Sequence, residues 1–160
     1  MPEPERILTS RRIPASASDV FRFITDPREQ VAIDGSGMLV AAPDAHRLVA
    51  VGDSFEMDMD RESLGDVPLG KYRVVNTVTR IVVNKQLEWN VAWPGSPPFG
   101  HVYGYLLEAV GSDETQVSSY CDWSAISDEW RGHIHFPVVP KWMLELSLEK
   151  LEHALEARAQ

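Results

Sequence analysis

Cysteine is nearly absent from this chain. Cys121 stands alone among 160 residues, so no internal disulfide can form, and the composition fits a reducing cytosol. No apolar run approaches the ~18 residues that a membrane-spanning helix needs. The opening Met1-Pro2-Glu3-Pro4-Glu5-Arg6 is polar with no apolar stretch behind it, unlike a signal peptide. Basic clusters mixed with aromatics are missing, and the net charge of -9 repels nucleic acid and anionic membrane surfaces. Repeats, low-complexity tracts and interdomain linkers are missing too, so residues 1–160 are expected to form one domain. A chain of this size buries roughly 70% of its unfolded surface and needs no staple.

What is present is an ordered series of patterns. Arg6 to Ile13 alternates as a strand, and Pro14 ends it. Ser16 or Ser18 can cap a helix over Ala17 to Thr25. Pro27 stops that helix or opens a second short one to about Ile33, and Asp34-Gly35-Ser36-Gly37 reads as a loop. Strands follow: Met38 to Ala42, then Phe55 to Asp60 with Phe55, Met57 and Met59 on one face. After a polar loop from Arg61 to Gly70 comes a long strand, Lys71 to Val83, whose alternation slips as at a bulge. Leu87 to Trp93, His101 to Glu108 and Thr115 to Trp123 complete the series. Residues Ser127 to Pro140 carry no clear pattern. From Lys141 the spacing becomes helical, with Leu144, Leu148, Leu151 and Leu155 on one face and Ser147 beside them. The order predicts an α+β domain in which a curved antiparallel sheet wraps around the last helix.

The segments Arg12-Ile13-Pro14-Ala15-Ser16-Ala17-Ser18-Asp19-Val20-Phe21, Val51-Gly52-Asp53-Ser54-Phe55, Leu87-Glu88-Trp89 and Gly104-Tyr105-Leu106-Leu107-Glu108, with the closing helix, resemble the START-type helix-grip (SRPBCC) superfamily. Within it the chain looks most like bacterial proteins labelled polyketide cyclase/dehydrase. The resemblance implies a seven-stranded antiparallel curved sheet, two short helices after the first strand, and a hydrophobic cavity under a long C-terminal helix. It does not imply one activity, since members include lipid carriers, receptors, cyclases and oxygenase subunits. The sequence holds no iron-ligand or Rieske pattern.

Alternation assigns the inner face of the sheet. Glu88 and Asn90 are expected to face water, so Leu87, Trp89, Val91 and Trp93 face in. By the same logic His101, Tyr103, Tyr105 and Leu107 face in. On the last strand Val117, Ser119, Cys121 and Trp123 share the inner face, leaving Ser118, Tyr120 and Asp122 outside. An interior of aromatics with polar tips suits a pocket better than a solid core, because buried Tyr and Trp need partners or water. The expected ligand wall is therefore Phe55, Met57, Trp89, Val91, Trp93, His101, Tyr103, Tyr105, Ser119, Cys121, Trp123, Met143 and Ser147.

His101 is the foremost catalytic candidate, as an acid/base for a cyclisation or dehydration, with Tyr103 or Tyr105 steadying an enolate oxygen. A histidine that only hydrogen-bonds is the simpler account. His133 and His135 share a face and His101 offers a third nitrogen, yet the spacing is not that of a metal site and none is expected. Asp58, Asp60 and Glu62 lack the glycine and closing glutamate of a calcium loop and read as a solvated face. Cys121 reads as a small buried hydrophobe rather than a nucleophile. Trp142 and Leu146 lie opposite the leucine stripe. They are expected to pack under Ile134 to Pro140, or else to form a homodimer contact. The sequence thus points to a cytoplasmic carrier or sensor of a small hydrophobic or polyaromatic molecule, without cofactor, nucleic acid or membrane insertion. A His101-dependent cyclase/dehydratase and an interaction module with a vestigial pocket are the alternatives.

Overall fold

The computed structural model describes residues 4–159, so Met1 to Glu3 of the polar opening lie outside the described residues. The strands are β1 (Arg6–Ile13), β2 (Leu39–Ala41), β3 (Ser54–Asp60), β4 (Lys71–Val82), β5 (Gln86–Ala92), β6 (Val102–Gly111) and β7 (Glu114–Asp122). The helices are α1 (Ala17–Ile24), α2 (Pro27–Ala32) and α3 (Lys141–Ala159), and a 3-10 turn (Arg61–Ser63) follows β3. Ser16 caps α1, its hydroxyl accepting from the Asp19 N–H at 3.1 Å. Asp26 caps α2 in the same way through the Arg28 N–H, and Pro27 takes the first turn, where a missing N–H costs nothing.

The sheet is antiparallel, in the order β1-β7-β6-β5-β4-β3-β2. The slip in the long strand is a register shift between Val78 and Arg80, where β4 bends against β5. On α3, Leu144, Leu148, Leu151 and Leu155 are buried, and the helix lies mainly against β1, with a smaller contact to β7. That off-centre seat matters for function. One helix cannot cover a seven-stranded concave face, so the half beneath β3 to β6 needs another filling.

The convex face departs from the expected solvated surface. Gly104 has no side chain, and Tyr120 occupies the space; a Cβ on Gly104 would stand 2.5 Å from the Tyr120 hydroxyl. The Tyr120 hydroxyl donates to Glu88 at 2.6 Å and accepts from Gln86 Nε2 at 2.9 Å, while Thr79 donates to the other Glu88 oxygen at 2.8 Å. Glu88 therefore does not stand in open water; its side chain is 14% exposed. Nor does Asn90 reach water through its carbonyl oxygen, which is buried. Alternation finds the face a residue is on, but not whether a neighbour folds over it.

Trp142 also departs from expectation. It is 58% exposed and does not pack under Ile134 to Pro140. Within that stretch Val138 and Val139 pack instead with Met38, Met143 and Leu144 on the flank of α3, and Phe136 stacks on Trp123. Among the described residues no helix is long and apolar enough to cross a membrane.

Candidate functional site

The uncovered half of the concave face is a cavity of about 610 Å³. Its floor is built by alternate residues of adjacent strands: Met57 and Met59 from β3, Tyr72, Val74 and Asn76 from β4, and Trp89 and Val91 from β5. Trp93 and His101 lie just beyond the strand ends of β5 and β6, and Tyr103 and Tyr105 follow along β6. Ser119 contributes from β7, and Leu144 and Ser147 close one side from α3. The aromatic rings brace one another. Trp89 lies at 6.4 Å from Tyr103, 6.1 Å from Tyr105 and edge-on at 6.2 Å to Phe55.

Of the wall expected from sequence, Met57, Trp89, Val91, Trp93, His101, Tyr103, Tyr105, Ser119 and Ser147 border the cavity. Phe55, Cys121, Trp123 and Met143 do not. Phe55 is fully buried behind Trp89, and Cys121 is buried on β7 in register with Tyr103. Trp123 stacks flat on Phe136 at 5.5 Å, and Met143 packs in the Met38 cluster. Sequence reasoning missed Asn76, although its signal was present. It is the one amide in the inward stripe Tyr72, Val74, Asn76, Val78. Missed as well were Arg61 and Asp66, which line the cavity from the loop after β3 and pair through two contacts at 2.8 and 2.9 Å.

Known proteins share the fold of this chain. No family model matches the chain. Uncharacterized protein Rv0088 of Mycobacterium tuberculosis is 29% identical over 122 residues, which are 76% of this chain and 49% of that protein. The chain thus spans about half the length of the curated relatives it matches. Protein CV1439 from Chromobacterium violaceum superposes with a TM-score of 0.64 at 15% identity, over 96% of this chain and 99% of that one. A Thalictrum norcoclaurine synthase mutant, solved with a transition-state analogue, superposes with a TM-score of 0.61 at 12% identity, over 97% and 96% of the two chains. The chain has the helix-grip fold that these solved structures share.

In this helix-grip cavity burial holds His101, Tyr103 and Tyr105 in their neutral forms. His101 is 6% exposed and ringed by Phe99, Tyr103 and Phe136, with its Nδ1 buried and unpartnered among the described residues. Burial lowers its pKa to about 4, since no carboxylate stands by to support an imidazolium. Burial likewise raises the Tyr103 and Tyr105 phenols, and it pushes the Cys121 thiol up to about 12, far from a thiolate nucleophile. Arg61 keeps its charge firmly, chiefly through the Asp66 hydrogen bonds. The described residues contain no group of three or more His, Cys, Asp or Glu side chains that could hold a metal ion, so His101, His133 and His135 do not converge.

The neutral histidine makes stability depend on pH. The unfolded chain takes up a proton on His101 below about pH 6.5, whereas the folded chain refuses it until about pH 4. This site's stability is therefore full above pH 6.5 and falls between pH 6.5 and 4. Urea unfolding at pH 4.5 should show about 2–3 kcal/mol lost at this one group relative to pH 7. His101→Phe should remove that part of the pH slope, and an unchanged slope would mean that the imidazole titrates normally.

Proposed function

We propose that this domain is a carrier or sensor that holds one small hydrophobic or polyaromatic molecule between its sheet and α3. The observation that carries the reading is the cavity itself. Its volume of about 610 Å³ lies within the ~300–1,000 Å³ typical of small-molecule sites, and its wall is mainly apolar, with an aromatic group of Tyr72, Trp89, Trp93, Phe99, Tyr103 and Tyr105. Burial of apolar surface at ~25 cal/mol per Å² provides most of the affinity. A vestigial pocket on an interaction module is the weaker account, because an unused hollow costs packing energy. The reading needs no cofactor, and the lone cysteine suits a reducing compartment such as the cytoplasm.

Polyketide cyclase/dehydratase chemistry through His101 has one point in its favour: the imidazole borders the cavity. A pKa of about 4 makes it a weak base at neutral pH, and no second group orients it, so we favour binding without turnover. Native mass spectrometry after incubation with a metabolite extract, joined to calorimetric titration with naphthalene, tests the proposal. A small molecule retained at one-to-one ratio, or saturable heat, supports it. A bare protein mass with no heat of binding overturns it.

A further inference from the structure

Two cavity side chains have polar atoms with nothing to bond. Asn76 and His101 are each 6% exposed, and both Asn76 Oδ1 and His101 Nδ1 are buried without a hydrogen-bond partner among the described residues. Nearly all buried polar atoms in folded proteins are paired, so two orphans in one cavity call for an explanation. Strand register relates them. Asn76 sits opposite Val91, and the pairing of Asn90 with Val102 brings His101 to the other side of Val91. The two residues thus flank Val91 at two strand spacings, about 10 Å apart.

The charge of the wall narrows the occupant further. Among the described residues Arg61 is the one lysine or arginine that borders the cavity, and Asp66 already grips it with both carboxylate oxygens. The other carboxylate on the wall, Asp34, accepts from the Ser36 hydroxyl and from the Ser36 and Leu39 N–H groups, while Lys150 donates to the Asp34 main-chain carbonyl at 3.0 Å. An anion entering this space would be desolvated beside two carboxylates, and the guanidinium on the wall is already paired.

Resting on the cavity as a ligand site, we propose that the occupant is an uncharged polycyclic molecule bearing a hydroxyl-type group at each end of its ring system, one on Asn76 and one on His101. Hydroxyls fit because they both donate and accept, whichever way the amide and the imidazole are oriented. Fatty carboxylates and other anions are refused.

Calorimetric titration with four probes tests this: naphthalene-2,6-diol, 2-naphthol, naphthalene and naphthalene-2,6-dicarboxylate. Affinity should rise about tenfold with each hydroxyl, and the dicarboxylate should bind at least about a hundredfold more weakly than the diol. Asn76→Leu should bring the diol down to the affinity of 2-naphthol, and His101→Phe should do the same. Because Asn76→Leu removes an orphaned amide, its ligand-free thermal midpoint should rise by about 2–4 °C. Asn76→Val gives the same readout if leucine does not fit. Naphthalene binding as tightly as the diol, a preferred dicarboxylate, or a lowered midpoint for both Asn76 variants would overturn this inference and leave the cavity reading standing. Binding of none of the four would overturn both.

Discussion

Gly35→Ala should lower the stability of this domain sharply. Gly35 lies in the turn between α2 and β2, and its N–H donates to the Ser147 hydroxyl at 2.8 Å. A Cβ at this position would fall on the Met143 carbonyl oxygen, 2.9 Å from the Ser147 nitrogen and 3.0 Å from its hydroxyl. Met143 and Ser147 are four residues apart in α3, so the new methyl would press on helix backbone in its first turns. Backbone cannot rotate away as a side chain tip can. The turn would have to lift off, losing the Ser147 bond and loosening the packing of Ile33 and Met38 beside it. Overpacking of this kind costs about 3 kcal/mol or more, which in a chain of this length lowers the thermal midpoint by about 6–12 °C. Gly111→Ala is the matched control, since nothing lies within 4 Å of a Cβ there. Equal midpoints for the two variants would show that the turn does not press on α3 as described.

Val91→Trp should abolish ligand retention while the fold persists. Val91 faces the middle of the cavity floor between Asn76 and His101, where there is open volume for a larger side chain. Filling an existing void costs little, so the thermal midpoint should stay within about 4 °C of the parent. Binding should fall by about a hundredfold or more, because an indole in the centre takes the contacts the ligand would make. Naphthalene affinity within about twofold of the parent, in a variant that melts normally, would place the binding site elsewhere on the molecule.

Much of the fold was readable one segment at a time. Alternation placed Trp89, Val91 and Trp93 on the inner face, and helical spacing placed Leu144, Leu148, Leu151 and Leu155 against the sheet. Ser16 and Pro27 marked helix starts through local hydrogen bonding and fixed φ. These signals are local, because backbone geometry repeats every 2 or 3.6 residues and side chains must follow it. The candidate site was legible only in part. Alternation separates inner from outer face, but Phe55 and Cys121 share the inner orientation without bordering the cavity. Which inward residue touches empty space depends on the depth of the sheet and the position of the helix.

By itself the sequence determined the order of elements, the faces of the strands, the apolar stripe of α3 and the scarcity of groups for metal or thiol chemistry. Only the tertiary structure decided that α3 rests toward β1 and β7, that the far half of the concave face stays open, and that Asn76 and His101 border it with polar atoms lacking partners among the described residues. It also decided that Tyr120 folds over Gly104 to cover Glu88, and that Trp142 is exposed on the surface of the domain. The division has one physical cause. Periodicity is set by neighbours along the chain, whereas cavities, orphaned polar atoms and covered charges are set by residues that meet only once distant strands are paired and the helix is docked.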